Sequence, residues 1–254
     1  MKKAVLFAIA VCFAWPAHGA ETGEIVELFG CVLKDGKSMA DFDAAASAWQ
    51  KDMEKIDGVK NYFAAVLVPY RAKSDYDLVW LGLNPNLNDW AKAAAIDYTA
   101  LGKATQARWD SVATCDSGLY FGSTLYEGLA EGKPGDPPAA VEAYLCDTND
   151  GKTTADVVAA EKAAVAATNA IKARTPELAK YSTYRYRPWL AESAYDTIYL
   201  TVNHDVTAFA ASNTAWQTST EGQAADAAIA GAFTCDAGLW FGHIVHEPAP
   251  PPKN

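Results

Sequence analysis

Apolar and polar positions along this chain follow two rhythms, and the same succession of rhythms comes twice. From Ser38 onward, Phe42, Ala46, Trp49, Met53 and Ile56 recur at helical spacing, which predicts a helix with one apolar face. Before it, Glu24 to Cys31 reads as a short strand, followed by the turn Lys34-Asp35-Gly36-Lys37 with Asp-Gly as its punctuation. Asn61 to Pro69 and Asp77 to Leu83 read as strands joined by a polar loop. Asn86 or Asn88 opens a second helix carrying Trp90, Ala94 and Leu101, and the β-prone run Gly118 to Tyr126 is the last strand. Further along, Val141 to Cys146 is a strand, and Thr153 starts a helix with Val157, Ala164 and Ile171 on its face. Tyr181 to Trp189 and Tyr195 to Val202 are strands, Asn203 or Asp205 starts a helix carrying Val206 and Phe209, and Gly238 to Val245 closes the series.

The letters repeat as well as the rhythm. CDSGLYFG at Cys115 matches CDAGLWFG at Cys235, CVLKDGKSMADF at Cys31 matches CDTNDGKTTADV at Cys146, and PYRAKSDYDLVWLGLN at Pro69 matches PWLAESAYDTIYLTVN at Pro188. The offset between copies grows only from 115 to 119 to 120, so a unit of about 105 residues has been duplicated in tandem. The order β-α-β-β-α-β is the ferredoxin-like split motif, which puts the chain in the α+β class. The expected organisation is a signal peptide at 1–20, a first repeat at 21–127, a Gly/Pro-rich linker at 128–138, a second repeat at 139–247 and a proline-rich tail at 248–254. Each unit carries helices on one face of its sheet and leaves the other bare, so the two copies are expected to pack sheet to sheet, as a monomer with internal pseudo-two-fold symmetry.

In topology, duplication and length the chain resembles the dimeric α/β-barrel superfamily in a fused, single-chain form. That superfamily holds cofactor-independent monooxygenases, haem-dependent chlorite dismutases and lactone isomerases, and none of their catalytic signatures transfers onto residues of this chain. The DGK[ST]xAD, YDxxWLG and CDxGLYFG strings are similar to those of exported bacterial proteins of unassigned activity.

Lys2 and Lys3, the apolar stretch Ala4 to Trp15 and the small residues around Gly19 and Ala20 have the form of a secretory signal, implying a periplasmic or secreted product. Removing it takes away two lysines and moves the net charge from −10 to −12. That charge argues against nucleic acid and anionic membrane surfaces as partners. No later segment is long and apolar enough to insert stably in a membrane. Four cysteines remain, Cys31, Cys115, Cys146 and Cys235. They allow three pairings, and the repetition selects Cys31–Cys115 with Cys146–Cys235. A structural zinc site is the rival, without CxxC or CxH spacing to support it, so no metal is expected.

Candidate chemistry is sparse. Ser38-x-x-Asp41 and Thr153-x-x-Asp156 read as capping boxes. Tyr195 and Asp196, with Asp77 in the first copy, have the types suited to acid–base work, against a reading in which the aspartates anchor loops. His243 and His246 lie three apart on a predicted strand and face opposite ways, which makes a poor metal site. Tyr184, Tyr186, Trp189 and Tyr199 either fill the interface between the sheets or line a pocket for a small apolar or aromatic ligand. No cofactor is expected. The leading function is a binding module for a small ligand or a protein partner, with a cofactor-independent monooxygenase- or isomerase-like enzyme and a structural envelope protein as alternatives.

Overall fold

A computed structural model describes residues 23–54, 56, 61–128, 136–175 and 181–247. The expected signal peptide, most of the linker and the tail lie outside the described residues. The first half runs β1 (Glu24–Leu33), α1 (Met39–Met53), β2 (Phe63–Arg71), β3 (Leu78–Asn84), α2 (Leu87–Ile96), α3 (Ala100–Asp110) and β4 (Ala113–Tyr126). The second runs β5 (Ala139–Thr148), α4 (Thr154–Arg174), β6 (Tyr181–Leu190), β7 (Thr197–Asn203), α5 (Val206–Thr218), α6 (Thr220–Ala232) and β8 (Phe233–His246).

The eight strands form one closed antiparallel barrel in the order β1-β3-β2-β8-β5-β7-β6-β4. Both halves pair internally in the same way: the first strand lies between the third and the fourth, and the third lies against the second. The halves join edge to edge at β2–β8 and β4–β6. These two seams carry the register shifts, while the ladders within each half run without interruption. A bulge bends and twists a strand locally, and placing them at the seams curves the combined sheet until it closes.

Alternation along each strand sorts side chains between the barrel interior and the helix-covered outside. Val26, Leu67, Leu81, Tyr120, Val141, Tyr186, Leu200 and Trp240 fill the interior, with contributions from all eight strands. These side chains form one packed cluster. Outside, α1 presses Phe42, Ala45, Ala46 and Met53 onto Ala64, Val66, Leu78 and Trp80. The corresponding layer of the second half is thinner, because α4 is rich in alanine and brings only Ala160, Ala167 and Ile171 among its buried apolar residues.

Two local expectations are revised. The single helix expected after the third strand is a pair in each half. Thr99 caps α3 by accepting from the Gly102 N–H, and Ser219 caps α6 by accepting from Gly222. Chain passes so close at these turns that a Cβ on either glycine would lie 2.1 Å from a backbone oxygen, of Ile96 or Trp216. The cysteines also lie within strands rather than at their ends, since β4 begins at Ala113 and β8 at Phe233. Cys31 faces Cys115, and Cys146 faces Cys235, as direct cross-strand partners, and both pairs are disulfides. The DG turns place Gly36 and Gly151 at φ 75°, and Asp41 and Asp156 accept from the Ser38 and Thr153 N–H groups as the capping boxes require. No helix among the described residues is long and apolar enough to cross a membrane.

Candidate functional site

The residues singled out in the sequence are dispersed. Asp77 accepts from the Leu33 N–H at 2.8 Å and Asp196 from the Thr148 N–H at 2.9 Å, so both carboxylates tie a loop to the end of a first strand. Tyr195 bonds not to its neighbour Asp196 but to Asp236, at 3.0 Å, and that bond holds its phenol above the ordinary range. Tyr76 and Asp116 repeat the arrangement in the first half at 3.5 Å. Tyr184 and Tyr186 point into the barrel core, with Tyr186 only 1% exposed. Trp189 stacks on Phe121 outside the barrel, near Trp90. Tyr199 alone of this group lines a cavity.

That cavity, of about 220 Å³, lies between the second half's sheet and α4, α5 and α6. It follows from the alanine-rich face of α4: Ala164 offers only a methyl group towards the sheet, and the gap is bounded by Tyr144, Tyr181, Tyr199, Ile229 and Phe233. The Cys146–Cys235 bridge forms part of its wall. Trp216 and the exposed Asp226 join α5 to α6 beside it through an indole N–H···carboxylate bond of 2.8 Å.

Polar groups inside are mostly paired. Glu142 accepts from Tyr144 Oη at 2.9 Å and from Asn213 Nδ2 at 3.2 Å. Glu161 accepts from Tyr199 Oη at 2.9 Å and forms a buried ion pair with Arg185 at 2.8 Å. Tyr181 and Thr168 share a bond of 2.7 Å. Asn203 is the exception. Its side chain lines the cavity and is 1% exposed, yet neither Oδ1 nor Nδ2 has a hydrogen-bond partner among the described residues. Buried polar groups are nearly always satisfied, because leaving one unpaired costs about 1–3 kcal/mol.

A counterpart cavity of about 370 Å³ occupies the same place in the first half, under α1, α2 and α3. Glu27 stands where Glu142 stands, four residues before the first cysteine of its copy, and accepts from Trp90 Nε1 at 3.0 Å. Trp49, Trp80 and Trp109 take the places of Ala164, Tyr199 and Ile229.

Burial raises the carboxyls of Glu27 and Glu142 above the ordinary glutamate value, against the lowering effect of their hydrogen-bond donors. Burial, followed by the nearby carboxylate, raises the phenols of Tyr144 and Tyr199, and burial pushes Tyr181 up to about 12. A carboxyl raised on folding stabilises the protein most below its unfolded value, and that contribution is lost as pH rises through the folded value. Asp41, Asp156 and Glu221 act in the opposite sense. Hydrogen bonds from Ser38, Thr153 and Arg174 lower them, and their contribution is lost as pH falls through the lowered values. The melting temperature should therefore peak on the acidic side of neutrality, between the range of the lowered carboxylates and that of the raised ones. A pH series of calorimetric scans checks this, and the joint variant Glu27→Gln, Glu142→Gln should flatten the rise from neutrality to that peak.

No family model and no curated protein sequence matches the chain. Solved structures do. A Fusobacterium nucleatum protein provisionally named a monooxygenase aligns with a TM-score of 0.57 at 9% identity, over 88% of this chain and 93% of that one. The fold is that of the dimeric α/β barrels. A protein described as anthrone oxidase-like aligns at 0.53 with 12% identity, over 89% and 93% of the two chains. One provisionally named a chlorite dismutase aligns at 0.52 with 11% identity, over 87% and 95%.

Because the resemblance noted in the sequence extends to haem-dependent chlorite dismutases, the fit of a haem to the two cavities matters. A haem iron needs an axial His, Met, Tyr or thiolate. No histidine lines either cavity, and the cysteines there are bridged. The second cavity's Tyr144, Tyr181 and Tyr199 are engaged in hydrogen bonds and held as neutral phenols. Met53 and Tyr62 of the first cavity are buried in the helix–sheet core, and Tyr62 accepts from Trp80 Nε1. The residues present do not fit a haem, and no step is derived through one. Among the described residues no group of three or more metal-ligating side chains converges.

Proposed function

We propose that the protein is an exported binding module that holds a small, largely apolar, neutral ligand in the helix–sheet cavity of the second half. The observation that carries this reading is Asn203. A donor and an acceptor lie side by side, unspent, in a cavity whose walls combine aromatic and aliphatic side chains with polar groups engaged in hydrogen bonds, among them Glu142, Glu161 and Thr168. They match a primary amide or lactam, which presents an acceptor and a donor in the same spacing. Glu142, Glu161 and Asp226 around it disfavour an anionic head group. The two disulfides support passage through an oxidising compartment, periplasmic or extracellular. The identical pairing order in both halves supports two fused ferredoxin-like units that complete one barrel within a monomer.

Benzamide is a suitable probe. Calorimetric titration should show one saturable site, and Asn203→Leu should weaken it by at least about tenfold through loss of two hydrogen bonds. The same substitution should stabilise the free protein by roughly 1 kcal/mol or more, since it removes buried unpaired polar atoms. Unchanged affinity, or a destabilised Asn203→Leu, contradicts the assignment.

One observation favours a second reading, a cofactor-independent oxygenase or isomerase. The neighbours include proteins named for monooxygenase and anthrone oxidase, and a raised carboxyl, Glu142, stands inside the cavity as a candidate proton acceptor. Asp77, Asp196 and Tyr195 line neither cavity. Dioxygen uptake with an anthrone, lost in Glu142→Gln, supports this reading, and uptake no faster than without protein removes it.

A further inference from the structure

The geometry points to a second site of different chemistry: the first half's cavity is an aromatic cage for a compact organic cation, with Glu27 and Asp97 as its counter-charges. This inference stands apart from the Asn203 reading, since it concerns the other half of the barrel.

The walls are indole rings set across one another. Trp49 meets Trp80 with centroids 5.0 Å apart at 85°, Trp80 meets Trp109 at 5.4 Å and 70°, and Phe42 closes on Trp109 at 5.0 Å and 46°. Tyr62 adds an edge-to-face contact to Trp49 at 5.6 Å. The rings pack edge to face or tilted against one another, and together they still line the cavity; ring faces attract cations, indole most strongly. The duplication supplies an internal comparison. The equivalent positions in the second half are Ala164, Tyr199 and Ile229, so the cage was not required by the fold.

The charges around the cage are of one sign. Glu27 from β1, Asp97 from the end of α2 and Asp110 from α3 line it, and no lysine, arginine or histidine does. Three basic groups of the surrounding helices and turn are engaged elsewhere. Arg108 pairs with Asp52, Lys92 with Asp89, and the Lys34 ammonium bonds the Asp110 carbonyl. His246 packs at right angles against Trp49, where burial lowers its pKa. Thr105, 7% exposed, also lines the cavity with an Oγ1 that has no partner among the described residues. Burial, joined at Glu27 by the Asp97 charge, raises both carboxyls, a cost that a bound cation relieves. Cation binding is therefore expected to strengthen as pH rises and these groups ionise.

The probe is benzyltrimethylammonium, compared with neopentylbenzene, its uncharged isostere of similar shape. Tryptophan fluorescence should report saturable binding of the cation, at least about tenfold tighter than the isostere at neutral pH, with the gap shrinking towards pH 5. Glu27→Gln should weaken the cation by about tenfold or more while sparing the isostere, and Asp97→Asn should do so to a smaller degree. Trp49→Leu should weaken both. Asn203→Leu should change neither, which separates this site from the second-half cavity. Each variant is first checked for a single cooperative melting transition, and Asp97→Asn carries the charge test if Glu27→Gln fails to fold. Equal affinity for cation and isostere, no saturable binding, or carboxyl variants that leave the cation's affinity unchanged would overturn the assignment.

Discussion

Glu161→Ala is expected to destabilise the protein by about 3–5 kcal/mol, because it leaves the Arg185 guanidinium buried beside α4 without its carboxylate. Glu161 and Arg185 are each 8% exposed, and the carboxylate accepts from Arg185 Nη1 with both oxygens, at 3.1 and 2.8 Å. Its Oε1 also accepts from Tyr199. Taking one charge away removes the attraction but not the desolvation of the other, so the loss exceeds what the pair itself contributes. A drop of roughly 10 °C in melting temperature should follow for a chain of this size. The joint variant Glu161→Leu, Arg185→Met should recover most of the loss, because it removes both charges from the same apolar layer. If the double variant is as unstable as the single one, the pair does more than neutralise itself. If the single variant melts like the parent, the layer is wetter than its burial implies.

The second large effect is the loss of a bridge. Each disulfide joins residues far apart in the chain, 84 residues for Cys31–Cys115 and 89 for Cys146–Cys235. In the chain-entropy account, opening a loop of that length costs roughly 4–5 kcal/mol as an upper figure, by freeing the unfolded chain. Cys31→Ala with Cys115→Ser suits the test, since Cys31 is 1% exposed and would bury a serine hydroxyl while Cys115 is exposed. Denaturant unfolding should show a midpoint well below the parent's, with a larger change in exposed surface on unfolding. An unchanged midpoint would mean that the reduced unfolded chain stays compact.

The parts of this fold legible in the sequence are those that its matching strings write twice. The matching cysteines identified which thiols pair, because each copy had to close on itself, and β1–β4 and β5–β8 place them opposite one another. The capping boxes at Ser38 and Thr153 were legible because the chemistry is local, a side chain answering a backbone group three residues away. The split into α2 and α3 was not. It depends on Gly102 lying against the Ile96 carbonyl, a close approach that apolar spacing does not encode.

The cavities were hidden for another reason. A gap arises from a mismatch between two elements, the small Ala164 face of α4 and the sheet across from it, and neither string announces it alone. Signals for their polar residues did exist. Glu27 and Glu142 each stand four residues before a repeated cysteine, at an outward position shared with apolar neighbours. Asn84 and Asn203 each end the repeated third strand, and only Asn203 lacks partners for both its polar atoms. Tyr184 and Tyr186 enter the filled barrel while Tyr199 faces the helices, a division that strand spacing alone did not make between the two expected places.

The most direct measurement is a crystal structure of the protein soaked in benzamide. The account predicts density for one molecule in the second half's helix–sheet cavity, its amide oxygen and nitrogen within hydrogen-bond distance of Asn203 Nδ2 and Oδ1. A cavity closed by α5 and α6, or Asn203 bonded to ordered water with the probe elsewhere, would contradict it.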